Sequence, residues 1–363
     1  MSGKKKFIAG VVLGTLLSLS AIASDAPYSA TDRAATVKLL VAKLKANYIA
    51  PAVAERVGSA ITKKNAAGGY ASVTSAQAFS EALAKDLRDF SGDLHMSAKI
   101  NERFFQPSSA AAAPTRAEWD EYRDELARGG YGFEKIERLP GNVGYIELRN
   151  FGSTSMVGQA YTSAMSLLAG TDALILDLRR NGGGSADSVA YLMSHFFPLG
   201  APRHLSDFYD RETDATQQYW TVQAVAQRYD KPVYVLTSAR TFSAGEDCAY
   251  NFQAQKRGTL VGETTGGGSN PVRWFGLDHG IVVAIPTGRV INAVTKTNWE
   301  KVGVKPDIAV PAAQALQTAH VAILRSLVSS AKVDTERTKL QRFLALAEKG
   351  ETEKPIYTLR GER

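Results

Sequence analysis

Ala173-Leu174-Ile175-Leu176-Asp177-Leu178-Arg179-Arg180-Asn181-Gly182-Gly183-Gly184 is the stretch on which the fold turns. Its first six residues are an apolar run with almost no alternation, the pattern of a strand buried on both faces. Three consecutive glycines follow, and a helix is expected over Ser185–Phe197. A strand, glycine turn and helix in this order belong to an α/β architecture, where function collects at the carboxyl ends of strands. The same texture recurs on both sides. Val143–Leu148 and Val233–Thr237 read as buried strands, and Thr259–Gly262 and Ile281–Ile285 as further strands. Met156–Leu168 reads as a helix with Val157, Tyr161, Met165 and Leu168 on one face. Strands separated by helices predict a largely parallel sheet covered on both faces.

Upstream the periodicity is helical. Val37, Leu40, Val41, Leu44 and Tyr48 share a face; Pro51 opens a second helix carrying Val53, Val57 and Ile61. After Gly68-Gly69 a third helix carries Phe79, Leu83 and Leu87 and ends near Gly92. The run PSSAAAAPT at 107–115 reads as a linker or exposed loop, followed by a short charged helix with Trp119, Tyr122 and Leu126. Leu340, Phe343, Leu344 and Ala347 mark an amphipathic helix near the end. The expected units are a signal segment over 1–23, a helical domain over 24–106, a linker and helix over 107–131, a catalytic domain over 132–320, and C-terminal helices and tail over 321–363.

Composition narrows the function. With 363 residues, 44% of them hydrophobic and 22% charged, the chain has ordinary globular texture and ample length for a core. The single Cys248 excludes an intrachain disulfide and a cysteine-based zinc site. His95, His195, His204, His279 and His320 never pair at metal-ligand spacing, so neither a metal nor another cofactor is expected. Lys4-Lys5-Lys6, an apolar run from Phe7 to about Leu17, and Ala21-Ile22-Ala23 form a secretory signal with an A-x-A cleavage site. Cleavage there takes the net charge from +7 to +4, which does not suggest a nucleic-acid partner. The apolar run is short of the roughly 20 residues of a spanning helix, so no lasting membrane anchor is expected. A periplasmic or secreted location in a bacterium follows as an expectation.

Two strand ends carry the candidate chemistry. Gly182-Gly183-Gly184 exposes backbone N–H groups at a helix start, which suits an oxyanion hole or a phosphate cradle; close packing is the other reading. No Gly-Lys-Ser/Thr follows, so it is not a P-loop. Thr237-Ser238-Ala239-Arg240-Thr241-Phe242-Ser243-Ala244-Gly245-Glu246 runs from a strand into a helix. Ser243 is either a helix cap or a nucleophile presented at a sharp turn. A nucleophilic serine needs a base and the base an orienting group. His95, in Ser91-Gly92-Asp93-Leu94-His95, and Glu300, in Asn298-Trp299-Glu300, are candidates, with His195, His204 and His279 as competing bases.

Together these residues resemble the carboxyl-terminal processing, or tail-specific, protease family. The branch resembled is the one that contains tricorn protease and interphotoreceptor retinoid-binding protein. Gly132–Phe151, the Asp177–Gly184 turn, the Ser243 turn, Leu260–Gly268 and Val302–Ile308 stand in the family's order. The resemblance implies a crotonase-like βαβ core with a small helical N-terminal domain. Residues 101–131 are too few for the PDZ domain that many members carry. It also implies an exported serine endopeptidase acting on a peptide or protein substrate. Ser243 would be the nucleophile, His95 the base and Glu300 its orienting carboxylate, with Gly183 or Gly182 and Ala244 as the oxyanion hole. Two departures stand out. Gly268 occupies the place of the lysine base of tail-specific members. Leu94 replaces the serine that precedes the histidine in the tricorn pattern, so the link from Glu300 to His95 is direct, or runs through Asp93 or water. A noncatalytic carrier of hydrophobic ligands on the same fold is the rival reading, and an esterase using the same serine is a third.

Overall fold

The computed structural model describes residues 28–101 and 115–353; the signal at 1–23 and nearly all of the linker at 107–115 lie outside them. Three helices come first: α1 (Ala30–Asn47), α2 (Pro51–Ala66) and α3 (Ala76–Ser91), then β1 (Ser97–Ile100) and α4 (Arg116–Arg128). The body continues with β2 (Phe133–Leu139), β3 (Val143–Leu148), α5 (Thr154–Leu167), β4 (Ala173–Asp177), α6 (Ala186–Ser194), β5 (His204–Asp210) and β6 (Ala215–Trp220). It closes with β7 (Val233–Thr237), α7 (Ala244–Ala254), β8 (Thr259–Gly262), β9 (Val272–Gly276), β10 (Ile281–Pro286), β11 (Gly288–Asn292), β12 (Ile308–Ala309), α8 (Ala312–Ser330) and α9 (Asp334–Glu348).

The main sheet has six strands in the order β12-β8-β7-β4-β3-β2. Every pairing in it is parallel except β2 with β3. The unbroken apolar runs are explained by two covered faces. Leu174 and Leu176 of β4, with Ile146 and Leu148 of β3, join the core formed with α5, α6 and α7. Their neighbours Ala173, Ile175, Val143 and Tyr145 point to the opposite face and meet Ala315, Ala319 and Ile323 of α8. Helix α8 is thus one continuous element across the expected domain boundary at 320, because its apolar stripe covers the sheet along much of its length. Helix α9 packs on α8 through Leu324, Leu340 and Phe343. Among the described residues no helix is long and apolar enough to cross a membrane.

The strand expected at Ile281–Ile285 exists but lies outside the parallel sheet. As β10 it pairs antiparallel with β1 and β9. Its inward residues Ile281, Val283 and Ile285 complete the core of the N-terminal helices, meeting Leu40, Leu44, Ile61 and Leu83. Burying each such side chain stabilises by about 1.5–3 kcal/mol. The helical segment is therefore closed by a hairpin from much later in the chain. A third sheet, β11-β5-β6, stands beside α6 and α7.

Candidate active site

The Asn181–Gly184 turn is stitched to its surroundings by backbone bonds. Gly183 C=O accepts from Phe151 N–H at 2.8 Å, and Asn181 C=O accepts from Phe242 N–H at 3.0 Å. Gly183 has φ +106°, and an added Cβ would lie 2.7 Å from Ser243 Cβ and 3.1 Å from Ala244 N. A side chain there is excluded twice, by conformation and by contact. The glycine turn and the Ser243 turn are thus pressed against each other.

Ser243 sits between β7 and α7 at φ 54°, ψ −122°. Capping serines and threonines elsewhere in the chain are extended: Ser29 at −78°, 169°, Ser75 at −131°, 152° and Thr115 at −66°, 163°. A non-glycine residue at positive φ costs on the order of 1–3 kcal/mol and persists only where its surroundings impose it. What imposes it is Glu246. This fully buried carboxylate accepts from Ser243 N–H at 2.9 Å, Gly267 N–H at 2.7 Å, Gly268 N–H at 2.9 Å and the Thr265 hydroxyl. It fastens the serine turn to the 265–268 loop. Burial raises the Glu246 pKa against the opposing effect of these hydrogen bonds. No role for Glu246 was expected, although Ser243-x-x-Glu246 is a capping-box pattern that flags the turn.

His95 follows α3 in a loop held by Asp93, whose Oδ1 accepts from His95 N–H at 3.0 Å. Its ring lies 4.5 Å from the ring of Phe242, the residue before Ser243. An added Cβ at Gly268 would lie 2.2 Å from Phe242 Cζ and 2.8 Å from His95 Cε1. The space a residue-268 side chain would need is therefore filled by the imidazole and the phenyl ring. No hydrogen bond joins the His95 ring to Ser243. The other candidate bases are engaged elsewhere: His195 with Gln227 C=O at 2.9 Å, His204 with Asp207 at 2.8 Å, and His279 with Asp32 at 3.3 Å.

Glu300 comes to the same place. Its Oε2 accepts from Ser269 N–H at 2.8 Å and Asn270 N–H at 3.3 Å. Its Oε1 and His95 Nδ1 are both buried without a hydrogen-bond partner. Ligand atoms of Asp93, His95 and Glu300 lie within 4.8 Å of one another, a spacing at which a cation could be held. Asp93 is already engaged, with Oδ2 accepting from Tyr48 at 3.1 Å and Asn270 at 3.2 Å. Burial lowers the His95 pKa, with Asp93 opposing it. Burial, then the Asp93 charge, raises that of Glu300. Leu94 is 50% exposed and takes no part.

Two of the three N–H groups expected to form an oxyanion hole already have partners. Gly182 N–H donates to Arg149 C=O at 3.1 Å, because the turn pairs with the chain leaving β3. Gly183 N–H donates to Asn181 Oδ1 at 2.9 Å. Ala244 N–H, at the start of α7, has no partner within the helix.

Comparison with known proteins agrees with this architecture. The model for peptidase family S41 matches residues 142–310, and that for the N-terminal domain of peptidase S41 in eukaryotic IRBP matches residues 30–127. The chain thus carries a peptidase family S41 domain preceded by an S41 N-terminal domain. A carboxyl-terminal-processing protease of Synechocystis is 30% identical over 166 residues, 46% of this chain and 37% of that protein. The tricorn protease of Thermoplasma volcanium is 27% identical over 177 residues, 48% of this chain and 16% of that protein. The chain thus matches well under half the length of either. A crystal structure of a candidate peptidase from Parabacteroides merdae superposes with a TM-score of 0.55 at 19% identity, covering 83% of this chain and 99% of that one, a likeness of fold.

Proposed function

We propose that the protein is an exported serine endopeptidase with Ser243 as nucleophile, His95 as base and Glu300 as the group that orients it. The observation that carries the reading is the backbone of Ser243, whose positive φ is more than a helix cap requires. Held at φ 54° on a strand-to-helix turn, Ser243 departs from the extended backbone of the capping residues Ser29 and Ser75. His95 Nδ1 is buried without a partner and a ring nitrogen of His95 lies within 4.8 Å of a Glu300 oxygen, which supports Nδ1 turning to Glu300 and Nε2 serving the serine. Nδ1 and Glu300 Oε1 are each without a partner, so they are free to be linked directly or through one water, which would stand in for the serine absent at Leu94.

The reaction follows. Ser243 Oγ attacks the peptide carbonyl carbon while His95 Nε2 takes its proton. Ala244 N–H stabilises the oxyanion, and Gly183 N–H joins it when it leaves Asn181; each donor contributes on the order of 3 kcal/mol. The C–N bond then breaks, and the proton passes from Nε2 to the leaving amine. Water, deprotonated by His95, releases the acyl group. The test is labelling by a fluorophosphonate probe with peptide hydrolysis measured alongside. Wild type should be labelled at Ser243 and lose hydrolysis in Ser243→Ala. Full hydrolysis in Ser243→Ala would end the reading. An unlabelled protein that binds an apolar fluorophore tightly would favour the carrier.

A further inference from the structure

A cavity of about 410 Å³ opens beside the glycine turn, between the N-termini of α5 and α6 and strand β6. Ser185 lines it and follows Gly183 by two residues, so its Cα lies within about 8 Å of the glycine that backs onto Ser243. Three aromatic residues, Tyr191, Tyr219 and Trp220, form part of its wall. Among the described residues, Asp187 is the only charged one lining it, and its carboxylate is exposed with no hydrogen-bond or ion-pair partner among them. Its field reaches the Tyr219 hydroxyl, which burial first and then Asp187 push up to about 12. Trp220 is held in place from behind: His204 stacks on it at 4.5 Å and 8°, and Asp207 fixes His204 at 2.8 Å.

Aromatic faces and a lone carboxylate in one concave site are complementary to an alkylammonium or guanidinium group. Cation–π attraction supplies about 0.5–2 kcal/mol, and the carboxylate pairs with the same charge. An acidic side chain would meet Asp187 with no cation to offset it. We propose that this cavity is the subsite that selects a lysine or arginine side chain of the substrate next to the bond that Ser243 cleaves. The proposal rests on the peptidase reading for its reaction but not for its binding chemistry.

The full-length mature protein is tested with a positional-scanning peptide library and with matched peptides carrying Lys, Leu or Glu at the preferred position. Wild type should favour Lys or Arg at one position near the cleaved bond. Asp187→Asn should lower the Lys-to-Leu ratio of kcat/KM by about tenfold, and Asp187→Lys should turn the preference towards Glu. Binding is read separately, from tryptophan fluorescence titrated with the Lys peptide and assigned with Trp220→Phe. Cleavage without a basic preference, or an unchanged ratio in Asp187→Asn, overturns the subsite and leaves the peptidase. Binding that disappears in Asp187→Asn, with no cleavage of any peptide, keeps the subsite and overturns the peptidase. Neither binding nor cleavage overturns both.

Discussion

Replacing Glu246 by Gln removes one of the two oxygens that hold four donors. If the new amide nitrogen faced Ser243 and Gly268, two buried N–H groups would be stranded. Turned the other way it faces Thr265 and Gly267, where the Thr265 hydroxyl can rotate and accept, so that only Gly267 N–H loses its partner. The side chain should take the second orientation. One buried unsatisfied donor costs about 1–3 kcal/mol, and that is the expected loss of unfolding free energy. Exchanging a charge-assisted bond for a neutral one at Ser243 N–H also loosens the strained turn; about 1.4 kcal/mol there slows reaction tenfold. Urea denaturation and fluorophosphonate labelling measure both quantities. Glu246→Ala strands all four donors and should be far less stable. A Glu246→Gln protein with the wild-type midpoint and labelling rate would refute the account of how Ser243 is held.

Gly268→Ala places a methyl where Phe242 and His95 already stand, so hydrolysis should fall at least about tenfold with the fold retained; a wild-type kcat/KM would show that the rings can move aside. Because burial lowers the His95 pKa, the base stays neutral further into acid than an ordinary histidine. The acid limb of kcat/KM should then lie below about pH 6.5, and a limb above that value would contradict the buried placement. Asp247 is fully buried with its pKa raised from 3.8 to about 7. The folded chain therefore binds the extra proton between those values, so stability falls as pH rises through that window, by up to about 4 kcal/mol above pH 7. Asp247→Asn, which still accepts from Asn251 and Ser206, should gain stability over wild type at pH 8 and little at pH 4. An equal difference at both would exclude the titration.

The elements that read clearly were those whose pattern has one physical meaning. β4 and β7 are buried on both faces and show it as unbroken apolar runs. The same kind of run at β10 could not say which sheet it joins, because periodicity reports burial and not neighbours. The β5–β6 hairpin escaped notice since Ala215–Trp220 is exposed along nearly its whole length and carries little apolar signal. At the site, the strand-to-helix passage around Ser243 was visible, but its positive φ depends on Glu246 and the 265–268 loop, which meet it only in three dimensions. The engagement of Gly183 N–H by Asn181 likewise depends on a side-chain orientation that no spacing encodes.

Strand β1, next to the imidazole, has a single described neighbour, and Ser97 aligns with Ala284 in it. The strand that follows the histidine loop therefore gains its partner only once the chain has run as far as Ala284.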